Sequence, residues 1–285
     1  MMKKKYVAII LGILFLTLTL WTIWGNVSVG VTHYRVASER LPDAFEGYRI
    51  AVVSDLHNAQ FGSNNRQIIE KIQSENPDII AITGDLIDSK RTDLNIAVSL
   101  VHELMQIAPC YYVTGNHEAW IGRRFLELEE RLLAENVQIL HDRVIELEKD
   151  GQMIQLAGLE DPDFIERDSA LHESILQTKL AQMRLSEAYC LLLSHRPETF
   201  AAYVEEGIDL VLSGHAHGGQ FRLPLIGGIV APNQGLFPQY DAGIYTKNST
   251  TMIVSRGIGN SIIPIRFNNP PEILIVELSQ LEMSP

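Results

Sequence analysis

Arg49-Ile-Ala-Val-Val53 is a short run of strand-forming, almost wholly apolar chain that stops abruptly at Ser54-Asp55. The pattern recurs: residues 79–83 end in Gly84-Asp85, and residues 110–114 end in Gly115-Asn116. Between these runs, residues 67–75 carry apolar side chains at helical spacing (Ile68, Ile69, Ile72), and residues 94–107 read as a second helix. Strand, helix and strand then repeat about every 30 residues, as parallel βαβ units require. Strands that are apolar throughout must be covered on both faces. In such sheets ligands gather outside the carboxyl ends of the strands, and all three runs deliver an Asp or Asn there.

The middle of the chain is less regular. A helix is expected over 125–136, a hairpin over 144–159 around Lys149-Asp150-Gly151, and a helix over 174–185. Two more apolar runs, 189–193 and 208–212, end in Ser194-His195 and Gly214-His215, and further strands are expected at 251–255 and 272–278. Residues 218–245 are rich in Gly and Pro and read as a long, structured loop over the site. Its Phe221, Leu223, Leu225, Ile226, Leu236 and Phe237 either meet acyl chains or close the core. The chain divides into a Lys-rich tip and anchor (1–26), a stalk or leading strand (27–48) and a catalytic domain (49–285).

The anchor rests on Lys3, Lys4 and Lys5, followed by 19 uncharged residues from Tyr6 to Trp24. A helix of that length is about 28 Å long, close to the ~30 Å of a hydrocarbon core. Trp21 and Trp24 then sit at the far interface, and the lysines place the rest of the chain on the extracytoplasmic side. A cleaved secretory signal, releasing the domain, is the rival reading, but the apolar segment is long for one and Gly25-Asn26-Val27-Ser28-Val29 after it gives no clear Ala-x-Ala site. The net charge of −12 disfavours nucleic acid as partner. It leaves a small phosphorylated substrate open, since bound divalent ions dominate the local field of a site. The two cysteines, Cys110 and Cys190, lie in apolar runs and read as buried thiols, with a disulfide as the alternative.

Of nine histidines, His57, His117, His195, His215 and His217 follow predicted strands, beside Asp, Asn, Ser or Gly. His33, His102, His141 and His172 lack such surroundings and read as surface or capping residues. Any one histidine is usually structural, but five at strand ends with two Asp and an Asn are hard to produce by packing. Imidazole, carboxylate and amide donors suit hard-to-borderline divalent cations, and no soft thiolate takes part.

These motifs, Ser54-Asp55-Leu56-His57, Gly84-Asp85-Leu86-Ile87-Asp88, Gly115-Asn116-His117-Glu118, Ser194-His195 and Gly214-His215-Ala216-His217, resemble in order and context those of the calcineurin-like metallophosphoesterases. Gly218-Gly219-Gln220, Ser255-Arg256-Gly257 and the Pro-Glu-Ile run at 271–273 extend the resemblance to a bacterial membrane- or envelope-associated branch. The fold implied is an α/β four-layer α/β/β/α sandwich of two mixed sheets. The resemblance implies two divalent ions (Mn, Fe, Zn or Ni), one held by Asp55, His57 and His217, the other by Asn116, His195 and His215, with Asp85 bridging. It makes His117 the general acid and gives Asp88 a hydrogen bond that orients a ligand. The family's usual Gly two residues after that acid is Lys90 here, which leaves the ligand set untouched.

Blander roles also fit. Asp55 and Asp85 suit helix N-caps, and Asn116 suits a left-handed turn. Glu118 reads as a solvated or capping carboxylate and Asp161 as a turn residue. Arg196 either grips a phosphate oxygen or forms a structural ion pair. The implied reaction is attack of a metal-bridging hydroxide on a phosphoester, most simply a diester, at the membrane or cell envelope. The substrate is then lipid- or wall-linked. Alternatives are a pyrophosphatase acting on a nucleoside-diphosphate-linked lipid or sugar precursor, and a non-catalytic metal-binding membrane receptor. Native metal and oligomeric state are not legible.

Overall fold

A computed structural model describes residues 2–281. Met1 and residues 282–285, assigned above to the ends of the anchor and of the catalytic domain, lie outside the described residues, as does the side chain of Lys3. The chain opens with a long helix, α1 (Met2–Val27), whose apolar side chains from Tyr6 to Trp24 are largely exposed. The strands that follow are β1 (Gly30–Ser38), β2 (Arg49–Val53), β3 (Ile79–Thr83), β4 (Cys110–Val113) and β5 (Gln138–Ile139). Helices α2 (Arg66–Glu75), α3 (Leu94–Met105), α4 (Asn116–Trp120) and α5 (Arg124–Ala134) lie between them. A hairpin of β6 (Arg143–Lys149) and β7 (Gln152–Gly158) leads to α6 (His172–Gln182), β8 (Cys190–Leu193), α7 (Phe200–Glu205) and β9 (Leu210–Ser213).

The 218–245 stretch is not one loop. It forms two small hairpins, β10 (Arg222–Leu223) with β11 (Gly227–Gly228) and β12 (Val230–Ala231) with β13 (Gly235–Leu236), and then begins the true strand β14 (Gly243–Lys247). Strands β15 (Thr250–Val254) and β16 (Glu272–Gln280) complete the molecule. Two six-stranded sheets result, in the orders β1-β16-β2-β3-β4-β5 and β14-β15-β9-β8-β7-β6. Both are mixed: β16 runs antiparallel to β2, while β2, β3 and β4 are mutually parallel.

Alternation along each strand explains why these runs are apolar throughout. In β2, Ala51 and Val53 face helices α2 and α3, whereas Ile50 and Val52 face the second sheet. In β8, Leu191 and Leu193 meet the first sheet, and Cys190 and Leu192 meet α6 and α7. Helices, sheet, sheet and helices therefore form four layers around three buried clusters, the middle one lying between the sheets. Residues 27–48 contain β1, hydrogen-bonded to β16 along its length from Gly30↔Glu272 to Ser38↔Gln280. Both cysteines are free and buried in this core, which pushes each thiol up to about 12.

Candidate active site

The carboxyl ends of β2, β3, β4, β8 and β9 converge at one edge of the sandwich, so residues from both sheets meet there. The chain turns sharply at each strand end. Asp55, His57, Asp85, His215 and His217 all have left-handed φ, between 45° and 65°. A non-glycine residue in that region is strained, on the order of 1–3 kcal/mol, and persists only where its surroundings hold it. Backbone bonds do so here: Asp55 N–H donates to Gly84 O at 3.1 Å, His57 N–H to Asp85 O at 3.0 Å and Gly259 N–H to Asp55 O at 2.6 Å. Close approach also needs a bare backbone at Gly214, where a Cβ would collide with Ser54 Oγ and Asp55 Oδ2.

Three donor groups result: one is His57, Asp88 and His117, and the other two hold the ligands expected from the sequence. Asp55, His57 and His217 bring one ligand atom each within 4.8 Å of one another, and Asp85, His195 and His215 do the same. His57 Nε2 faces His217 Nε2 at 3.1 Å, and His195 Nε2 faces His215 Nδ1 at 3.2 Å. Asp85 lies between these two groups, with Oδ2 3.4 Å from His57 Nε2 and 3.3 Å from His195 Nε2. Asn116 lines the same cleft, and its buried Oδ1 has no hydrogen-bond partner. A buried orphan acceptor beside facing imidazole nitrogens is a donor set short of a cation, and these residues fit divalent metal.

Electrostatics agree. Burial holds His217 down to about 3 and, with Arg196 adding to it, holds His215 well below the usual range, so both rings keep free lone pairs. Burial would also lower His57 and His195, but the carboxylates prevail and raise both, His195 to about 10 beside Asp85. Burial opposes ionisation of Asp55 and Asp85, yet the neighbouring histidines hold both carboxyls below the usual range. The cluster thus draws positive charge inward, as buried carboxylates must. His195 donates its Nδ1–H to Thr83 O at 2.7 Å, which leaves Nε2 to coordinate.

His117 stands over this cluster, its ring 4.5 Å from that of His57 and 4.7 Å from that of Trp120. Ser89 N–H donates to its Nδ1 at 2.9 Å, and Nε2 lies 3.1 Å from Ser261 Oγ. Its own N–H donates to Asp85 Oδ1 at 2.8 Å. A cavity of about 230 Å³ lies over Asp85, Asn116, His117, His215 and His217, with Trp120, Val230, Pro232 and Ile262 in its walls.

For other residues the structure selects one of the sequence readings or departs from it. Asp88 is buried near His57 and His117, where its Oδ1 accepts from Lys90 and Arg91 N–H and shapes the loop. Arg196 takes the structural ion pair of its two readings. It is buried in a bidentate pair with Asp161, at 2.6 and 2.7 Å, while its Nη1 lies 3.1 Å from His215 Nε2. Asp161 is accordingly no ordinary turn residue. Glu118 is the capping carboxylate of its two readings and not a solvated one: fully buried, it accepts from the N–H groups of Gly115, the N-cap of α4, and Asp85 at 2.7 and 2.9 Å. His172 is buried against Asp163 at 3.0 Å rather than lying on the surface. Asn116 makes no left-handed turn but opens α4.

Ser261 and Arg266 were missed altogether. The buried Arg266 guanidinium lies 3.3 Å from His217 Nδ1 and donates to Gly259 O at 2.5 Å, closing the floor beneath His217. Nothing local marks either residue as part of the site, since the histidines they meet, His217 and His117, lie 49 and 144 positions away.

Residues 48–219 match the family model of the calcineurin-like phosphoesterases. The chain is 28% identical over 260 residues to the uncharacterized metallophosphoesterase YkuE of Bacillus subtilis, covering 88% of this chain and 85% of that one. It is 28% identical over 258 residues to a transmembrane protein with metallophosphoesterase domain from Danio rerio, covering 88% of this chain and 57% of that one. To phosphodiesterase YaeI of Escherichia coli it is 26% identical over 279 residues, covering 93% and 97%. With its matched segment spanning every strand-end motif from Asp55 to His217, the chain belongs to the calcineurin-like phosphoesterase family and is a metal-dependent phosphohydrolase.

Proposed function

We propose that the chain hydrolyses phosphodiesters with two divalent cations held between its sheets, at a membrane that α1 crosses. One observation carries this reading. A single oxygen of Asp85 stands midway between the two groups of expected ligands, 3.4 Å from His57 Nε2 and 3.3 Å from His195 Nε2. A carboxylate so placed suits two ions ~3.5–4 Å apart. Asp55, His57 and His217 would hold one ion, and Asn116, His195 and His215 the other. Mn, Fe, Zn and Ni all suit these donors. Bound cations supply Lewis-acid polarisation of phosphoryl oxygens and lower the pKa of water.

The rest falls to the chain's own side chains. Because His117 Nδ1 accepts from Ser89 N–H, the neutral ring carries its proton on Nε2, beside Ser261 and at the cleft. That N–H can donate a hydrogen bond to a phosphoryl or departing oxygen and stabilise the negative charge that develops there. The Asp85 carboxylate, accepting from His117 N–H, fixes the backbone that carries the ring. Trp120, Pro232 and Ile262 give the cleft an apolar wall for the organic part of a substrate.

Diester preference draws support from the relative named a phosphodiesterase, and membrane attachment from α1 together with the relative named a transmembrane protein. Lys4 and Lys5 before the apolar segment favour an extracytoplasmic domain. The test is hydrolysis of bis(4-nitrophenyl) phosphate and of 4-nitrophenyl phosphate by the full chain in detergent. Chelation should abolish turnover, manganese should restore it, and the diester should be the faster substrate. Turnover indifferent to chelator would overturn the metal reading. A faster monoester would overturn the diesterase reading.

A further inference from the structure

The two hairpins beside the cleft carry their largest apolar side chains outward. Leu225 is fully exposed at the tip of β10–β11, with Ile226 60% exposed beside it, and Leu236 and Phe237 at the end of β13 are 70% and 64% exposed. Ile262, which also lines the cleft, is 69% exposed, and Ile265 is 45% exposed. Leu225 and Phe237 hold left-handed φ of 68° and 56°, an uncommon conformation for bulky residues. An exposed apolar patch of this kind, at the mouth of a polar site, marks an interaction surface.

What covers it follows from the way α1 joins the domain. Asn26, in the last turn of α1, donates from Nδ2 to Arg266 O and accepts from Arg266 N–H, both at 2.8 Å. Trp21 and Trp24 adjoin the same segment, sharing a small cavity with Arg266, Asn269 and Pro270. That segment in turn carries the hairpins: Arg222 N–H donates to Phe267 O at 3.0 Å, and Gln220 Nε2 donates to Ile263 O and Ile265 O at 2.9 and 2.7 Å. The apolar rim and the end of the membrane helix are therefore tied to one short stretch, residues 263–270. With α1 across a bilayer and Trp21 and Trp24 at headgroup depth, the stretch that carries this rim is held beside the headgroups.

We propose that Leu225, Ile226, Leu236, Phe237, Ile262 and Ile265 insert into the phospholipid bilayer that α1 crosses, so that the cleft opens onto lipid headgroups and takes phosphoesters carried there. This rests on the membrane attachment proposed above and adds a second contact, which aims the site at the bilayer instead of at solvent.

The experiment uses the full chain in vesicles of phosphatidylethanolamine and phosphatidylglycerol, with and without bromine on the upper acyl chains. An environment-sensitive fluorophore is attached to one introduced cysteine at a time: Leu225→Cys, Phe237→Cys, Leu14→Cys within α1, or Asp150→Cys. Asp150 lies in the turn before β7, at the end of the second sheet away from the site. Cys110 and Cys190 are buried and do not compete for label. Side chains inserted ~5–10 Å into the interface should have their emission roughly halved by brominated lipid at positions 225 and 237. The label at 150 should be unaffected.

Quenching at 14 but not at 225 or 237 would overturn the docked rim while leaving the anchor in place. No quenching at 14 would remove the anchor and the proposal with it. Each labelled protein is also assayed on soluble bis(4-nitrophenyl) phosphate, so failure of the phosphodiesterase reading appears separately, as lost turnover with quenching intact.

Discussion

At His117, one hydrogen bond decides what the residue can do. With Nδ1 accepting from Ser89 N–H, the ring offers a donor at Nε2 without having to be charged. Replacing His117 with Ala removes that donor but none of the groups facing the proposed cations, so metal content should be kept while kcat on bis(4-nitrophenyl) phosphate falls by ~10²–10⁴. Metal analysis beside the kinetics checks this, and a variant that also loses metal would make His117 a ligand instead of a hydrogen-bond donor to the substrate. Arg196 makes the opposite case. Its guanidinium is consumed by Asp161, and Arg196→Ala leaves that carboxylate buried without its partner. The expected result is a loss of roughly 3–5 kcal/mol in urea unfolding, since breaking one side of a buried pair strands the other charge. The ligand types were legible because each follows an apolar run directly. Arg196's pairing with Asp161, and the Asn26–Arg266 contact, were not, because those partners lie 35 and 240 positions apart.

Among the elements, the loop after β7 and the start of α6 are joined by Asp163, whose carboxyl meets His172 at 3.0 Å, Arg196 at 2.9 Å and Trp120 at 2.6 Å. Burial alone would raise Asp163, but these partners prevail and hold it below the usual carboxylate range. A carboxyl lowered by folding stabilises the protein above its unfolded pKa of ~4, and that contribution is lost as pH falls through the lower folded value. Asp163→Asn should therefore unfold with a shallower dependence on pH below about 5 than the parent chain. Parallel curves would show that the contacts carry no net charge effect.

The chain's first elements separate in the same manner. Removing residues 1–25 keeps Asn26 on Arg266 and β1 on β16, so aryl diester hydrolysis should survive. Removing residues 1–38 strips β1 from β16 and exposes its backbone edge, and aggregation should follow. Soluble, active protein from the longer deletion would show β1 to be dispensable. Strands buried on both faces were legible from their unbroken apolar character. Of the edge strands, β1 was one of two readings of residues 27–48 and β14 was not foreseen, because their mixed burial leaves Thr, Arg, Tyr and Lys among the apolar residues, a pattern shared with surface loops.

At the scale of the molecule, the candidate centre joins two sheets whose facing surfaces pack through apolar side chains. Asp55, His57, Asp85 and Asn116 come from the first sheet; His195, His215 and His217 come from the second. That division could be read only in part from sequence: the strand ends were visible, but which strands share a sheet depends on pairings between distant segments such as β16 and β2. Its consequence is thermodynamic. Cations bound across the seam would stabilise the folded state and not the separated sheets, whereas without them two buried carboxylates rely on backbone N–H groups, the Ser54 hydroxyl and neighbouring imidazoles, and the Asn116 amide oxygen has no partner. At a free metal concentration of ~1,000 times Kd, one ion adds about 4 kcal/mol. At ~2–4 °C per kcal/mol for a domain near this size, Tm should rise by roughly 8–16 °C between chelated and manganese-loaded protein. Asp85→Asn, which weakens the group shared by both halves, should remove most of that rise, whereas His117→Ala should leave it intact. Calorimetry of the three proteins measures both effects together, and a Tm that ignores manganese in the parent chain would show that the seam is held by packing alone.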